Sequence, residues 1–212
     1  MDQPPQDAPA CPLCRMLSVR RMLNVRALVV VNLILLAVLA GLVVADVQRT
    51  RRVPPSFSVV EPGRLYRSGQ PSAEQFASII QQYGIRTVIN LRNADREPAY
   101  VADEPLVQPY GVRVIRLPIS STTPLSADEL ATLRALYADP HNYPILVHCE
   151  QGHARTGVAV ALWRIERQGW DPAKAVQDMV ACGYPVRPES DQMRGVLLHW
   201  NGPADKAKKE AP

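Results

Sequence analysis

From Ala27 to Ala45 the chain runs for nineteen residues without a charged side chain, and only Asn32 and Gly41 interrupt its leucine, valine, isoleucine and alanine. As an α-helix at about 1.5 Å per residue, this stretch covers about 28 Å, against about 30 Å of bilayer hydrocarbon. Hydrocarbon offers the backbone no outside partners, so a segment spanning it alone is confined to a helix. Two other readings compete. A cleaved signal peptide has a shorter apolar core, roughly 7–15 residues, although Val44-Ala45-Asp46 offers a small-residue cleavage site. A buried core helix would show a polar face, whereas here arginines stand at both ends. The expectation is one uncleaved transmembrane helix over residues 27–45, giving a single-pass membrane protein. Residues 1–26 then form an N-terminal tail, 46–56 a basic linker, 57–201 one folded domain and 202–212 a polar, disordered tail.

The charges partition along the same boundaries. Lys and Arg number 24 against 20 Asp and Glu, a net +4. Arg15, Arg20, Arg21, Arg26, Arg49, Arg51 and Arg52 flank the apolar run, opposed there only by Asp2, Asp7 and Asp46, so the remaining chain is neutral. The basic excess therefore suits anionic lipid head groups beside residues 27–45. Nucleic acid is not an expected partner. Four arginines before the span and three after it lean slightly toward a cytoplasmic N-terminus. A thiolate nucleophile survives better in a reducing cytoplasm, which points the other way, and both orientations stay open.

Chemistry is concentrated in His148-Cys149-Glu150-Gln151-Gly152-His153-Ala154-Arg155-Thr156-Gly157. The apolar run Pro144 to Val147 precedes this segment and Val158 to Trp163 follows it, so a buried strand feeds a tight loop that opens a helix. Loop amides and a helix N-terminus make an anion trap. The Arg155 guanidinium supplies a planar fork for two phosphate oxygens. Beside these groups a Cys149 thiolate is favoured over the thiol, and Thr156 is placed to donate a hydrogen bond to it. His148, at a strand end, is expected to hold the loop and to point away from Cys149.

These residues resemble the signature of the cysteine-dependent protein tyrosine phosphatases, and the loose Cys149, Gly152, Arg155 pattern is similar to their small atypical dual-specificity branch. Tyr66-Arg67-Ser68-Gly69-Gln70-Pro71-Ser72 and Gly84-Ile85-Arg86-Thr87-Val88-Ile89-Asn90-Leu91-Arg92 extend the likeness, which covers residues 57 to 200. The resemblance implies a phosphatase domain over 57–201, with Cys149 as nucleophile and Arg155 as catalytic clamp. Glu150, Gln151, Gly152, His153, Ala154, Arg155 and Thr156 then cradle the phosphate. It implies a phosphocysteine intermediate and neither metal nor other cofactor. Phosphorylated proteins or small phosphate esters are the expected substrates, and Glu150 at the rim disfavours the most highly charged ones, although Arg92, Arg96 and Arg187 could compensate. The alternative is a phosphate-binding relative without turnover, acting as an interaction module.

Relatives carry an acidic residue upstream of the cysteine to protonate the leaving oxygen. The corresponding stretch, Leu117 to Pro124, holds no carboxylate. Asp128 and Glu129 follow, but Ser126-Ala127-Asp128-Glu129 reads as a capping box. Asp95 and Glu97 are other candidates, as is no acid at all. Cys11 and Cys14 form half of a zinc pattern without a second half, and Cys182 is expected to pack within a helix.

The predicted fold is α/β, with a central, mostly parallel sheet flanked by helices and preceded by one transmembrane helix. Strands are expected at 87–91, 112–118 and 145–149. Helices are expected at 72–83, 126–137, 155–168, from Asp171 with Pro172, and from Pro188 to Trp200.

Overall fold

A computed structural model describes residues 12–93, 101–120, 123–186 and 191–200. Cys11, Asp95, Arg96, Glu97, Arg187, Pro188 and the tail 202–212 lie outside the described residues. The chain divides into two units, residues 1–49 and 50–212. Helix α1, Pro12–Arg52, runs 41 residues, through much of the stretch read as tail and into the one read as basic linker. No proline lies between Leu13 and Val53, and the arginine, leucine and methionine of the flanks are good helix formers. Pro54 and Pro55 then forbid its continuation. Within α1, Arg26–Ala45 is long and apolar enough to cross a membrane, with a mean hydropathy of 3.0 and none of the window buried.

The second unit is built on a five-stranded sheet: β1 (Ser58–Glu61), β2 (Leu65–Ser68), β3 (Thr87–Asn90), β4 (Arg113–Arg116) and β5 (Ile145–His148). The strand order is β1-β2-β5-β3-β4, with β1 and β2 antiparallel and every other pairing parallel. β3, β4 and β5 match the expected strands. The β1–β2 hairpin was not expected, because β1 is only half-buried and each strand has four residues, too few for a period-2 pattern.

Alternation along the strands gives the sheet two different faces. Leu65, Ile89, Ile145 and Val147 pack into the larger core with α4 (Ala127–Ala138), α5 (Ala154–Gln168) and α6 (Pro172–Ala181). Tyr66, Val88 and Leu146 pack on the other side with Phe76, Ile79 and Ile80 of α2 (Ala73–Tyr83) and Val107 of the short α3 (Glu104–Val107). β5 lies between β2 and β3 and is wholly buried, so its carboxyl end opens where loops from both faces meet. From Arg155 to Trp163 every residue of α5 is buried, and Trp163 meets Tyr137 edge-on at 5.1 Å.

Helix ends follow their sequence signals. Ser72 and Gln75 close a capping box on α2, and Gly84 ends it in the left-handed conformation. Ser126 and Glu129 do the same for α4, placing Asp128 and Glu129 in its first turn. Asp171 caps α6 through the amides of Ala173 and Lys174. The last helix, α7, spans Asp191–Leu198. Ser126→Ala should lower the unfolding free energy by about 1 kcal/mol in a denaturant titration, because the Glu129 amide loses its acceptor.

Candidate active site

β5 ends at His148 and α5 begins at Ala154, so Cys149 to His153 forms the link between them. Its shape is set from outside, by the turn between β2 and α2. The Gln70 amide donates to the Glu150 carbonyl at 2.9 Å, and Arg67 Nη2 donates to the Gly152 carbonyl at 2.6 Å. In a trans peptide the N–H points opposite to the C=O. Drawing these two carbonyls outward therefore turns the N–H groups of Gln151 and His153 to the inner side of the loop. The Gly152 amide donates to Cys149 Sγ at 3.3 Å. Cys149 is 2% exposed and sits at the N-terminal end of α5, where the helix dipole favours negative charge.

Two glycines permit this approach. Gly152 has φ +79°, and a Cβ there would lie 2.5 Å from the Gly69 nitrogen. A Cβ on Gly69 would lie 2.9 Å from the Glu150 oxygen. The Arg67-Ser68-Gly69-Gln70 segment is thus the outer wall of the loop.

Arg155 lies in the first turn of α5, buried, with Nη1 3.4 Å from the Leu91 carbonyl and Nη2 3.9 Å from Glu150 Oε2. Glu150 and Gln151 are exposed at the rim, Gly152 is buried, and Ala154 is half-buried. His153 is turned aside: its Nε2 lies 2.7 Å from Ser56 Oγ, and its ring packs on Gly183. The Thr156 hydroxyl is buried and has no hydrogen-bond partner among the described residues. Asp128 is exposed on α4. Asp95 and Glu97 lie outside the described residues, and Arg92 is buried in a polar network. Cys182, expected to pack within a helix, instead caps the C-terminus of α6 and is exposed, because Gly183 turns the chain there.

That network centres on Asp103, which carried no signal in the sequence. Its Oδ2 accepts from His148 Nε2 at 2.7 Å and Asn90 Nδ2 at 2.7 Å, and its Oδ1 from Gln70 Nε2 at 2.8 Å. Gln70 Oε1 in turn accepts from Arg92 Nη1 at 2.9 Å. His148 therefore points to the α2 face, as strand alternation requires, with its Nδ1 3.3 Å from the Cys149 carbonyl. Burial alone would raise the Asp103 carboxyl. The hydrogen bond and charge of His148, with the bonds from Gln70 and Asn90, outweigh burial and hold it below the usual aspartate value.

A family model described as a DSP-PTPase phosphatase fused to NAD+ kinase matches residues 43–191. The chain belongs to this family of dual-specificity-type tyrosine phosphatases. It is 33% identical over 152 residues to the dual specificity protein phosphatase TpbA of Pseudomonas aeruginosa, covering 71% of this chain and 64% of that protein. It is 29% identical over 140 residues to the inositol diphosphatase DSP5 of Arabidopsis thaliana, covering 61% of this chain and 62% of that protein. The chain thus spans slightly less than two thirds of the length of both. The crystal structure of TpbA superposes with a TM-score of 0.56 at 30% identity, over 68% of this chain and 89% of that one. A TpbA variant in complex with phosphotyrosine gives 0.53 at 27% identity, over 76% and 99%. The catalytic core of the PP-IP phosphatase SIW14 from S. cerevisiae shares the fold, with a TM-score of 0.60 at 21% identity, over 74% and 92%.

Two outcomes follow from a dual-specificity loop braced in this way. Gly152→Ala should lower the thermal midpoint by several degrees in a melting scan, because both its φ and its contact with Gly69 exclude a Cβ. The Asp103 carboxyl is lowered in the fold, so its stabilisation is complete above its unfolded value of about 4 and is lost as pH falls through the lower folded value. The stability gap between the parent and Asp103→Asn, read by urea unfolding across acid pH, should close below about pH 4.

Proposed function

We propose that the chain is a membrane-anchored, cysteine-dependent phosphatase. The observation that carries this reading is the pair of loop carbonyls, Glu150 and Gly152, held from outside beside Cys149 and the buried Arg155 guanidinium, which by peptide planarity turns the Gln151 and His153 amides inward. The Cys149 thiolate attacks phosphorus, the P–O bond to the leaving group breaks, and a phosphocysteine forms. Arg155 and the inward amides stabilise the charge on the equatorial oxygens. Water then attacks the phosphocysteine, releasing inorganic phosphate and regenerating the thiolate. No step calls for a metal.

Leaving-group chemistry narrows the substrate. From Leu117 to Ser126 the sequence offers no carboxylate to protonate a departing oxygen, and Asp128 is exposed on a helix whose first turn its neighbours cap. Without an acid there, and with Asp95 and Glu97 the remaining candidates, the chemistry favours leaving groups stable as anions, such as the phenolate of phosphotyrosine. TpbA bound to phosphotyrosine supports this choice. The exposed Glu150 disfavours inositol diphosphates, although DSP5 carries that name. Helix α1, apolar and exposed from Arg26 to Ala45 and flanked by arginines, would hold the domain at an anionic membrane.

The test is hydrolysis of p-nitrophenyl phosphate and of a phosphotyrosine peptide by the full chain in detergent micelles. Cys149→Ser should abolish turnover, and aryl phosphates should far outpace alkyl phosphates. Asp128→Asn should keep kcat within about two-fold, against the roughly 10²–10⁴-fold loss expected of a working general acid. Phosphate binding without turnover on either substrate would replace the enzyme by an interaction module.

A further inference from the structure

Among the described residues, Arg67 is a buried charge with no carboxylate bonded to it. It lies on β2, is 3% exposed, and makes its hydrogen bond to the Gly152 carbonyl at 2.6 Å. Strand alternation places it with Leu65 on the α5 and α6 side of the sheet, away from the Asp103 network. Asp178 on α6 acts on Arg67 electrostatically, but that carboxylate holds Arg164 Nε of α5 at 2.8 Å. The other groups that act on Arg67 are Arg164 itself, Cys182 in the turn after α6, and Cys149. Burial pushes the guanidinium below its ordinary value, and Cys182, Asp178 and Cys149 act against that push. An isolated buried ion is costly, and the glycine whose carbonyl Arg67 holds donates its amide to Cys149 Sγ at 3.3 Å, so an anion at the loop would balance it.

We propose that Arg67 is a positioning residue for the phosphate site, whose buried positive charge favours the Cys149 thiolate and whose bond to Gly152 aims the His153 amide at the bound phosphate. Arg155 and Arg67 then act from opposite sides of the same loop. Arg155 meets the substrate from the first turn of α5. Arg67 stands behind the Gly152 to His153 peptide and never touches the ligand. Its charge is matched by the thiolate before substrate binds and by the phosphate afterwards. The other charged and titratable groups next to the loop are Arg155, the exposed Glu150, and the His148 and Asp103 pair, which points to the α2 face. Of these, Arg67 alone combines a positive charge with a direct bond to the loop backbone from outside.

The role rests on the phosphatase reading, but its test does not depend on turnover. Iodoacetamide, a neutral reagent, alkylates the thiolate, and mass spectrometry separates the Cys149 peptide from those of the other cysteines. In the full chain in micelles, Arg67→Gln retains N–H donors without charge, whereas Arg67→Lys retains the charge. At about pH 6, Arg67→Gln should slow Cys149 alkylation about ten-fold, equivalent to moving the profile up by about one pH unit, and Arg67→Lys should stay near the parent. Alkylation of Arg67→Gln within about two-fold of the parent, or Arg67→Lys as slow as Arg67→Gln, would overturn the proposal. If Arg67→Gln does not fold, Cys182→Asp supplies Arg67 with a carboxylate from an exposed turn. It should slow alkylation of Cys149, and an unchanged rate would be equally fatal. A parent chain that is alkylated readily but hydrolyses no phosphate ester would refute the phosphatase and leave the role of Arg67 standing.

Discussion

Everything at the site depends on two carbonyl groups being held from outside the loop. The Gln70 amide and the Arg67 guanidinium fix the carbonyls of Glu150 and Gly152, and peptide planarity carries that restraint through to the opposite N–H groups. A loop of five residues between a strand and a helix has many conformations open to it. These bonds, with the contact between Gly69 and Gly152, select the one that presents donors to an anion. In the proposed reaction these donors are oriented before the phosphate arrives, so little reorganisation is left to the chemical step.

The same turn serves a second network on the other face of the sheet. The Gln70 backbone braces the loop while its side chain joins Asp103 to Arg92, so one residue ties β3, α3 and the phosphate loop together. Asp103 gathers donors from three separate segments, and its own side chain is fully buried. Such a carboxylate makes the geometry of His148 a property of the whole domain and not of the loop alone.

How much of this was legible in the sequence depended on whether a feature was local. β5, the loop and α5 could be read because an apolar run, a helix start and the Cys149 to Arg155 spacing are contiguous. The capping boxes at Ser72 and Ser126 were legible for the same reason. Asp103 was not, because it lies beside a four-residue helix and its meaning comes from partners 13, 33 and 45 positions away. The hairpin of β1 and β2 was too short to show a period, although its Tyr66 to Ser72 continuation was visible as a resemblance. The place of Arg67 as the outer wall of the loop required the pairing of β2 with β5, which no local pattern announces.

The contact between Gly69 and Gly152 also limits how such a protein diversifies. With backbone against backbone, the wall behind the loop has no side chains to exchange there, and widening it would shift β2 against β5 and with it the centre of the sheet. The outward-facing side chains of Glu150 and Gln151 carry no such burden. Substitution is therefore freer at the rim, while the spacing of β2 from the loop stays fixed in every variant that keeps the two glycines.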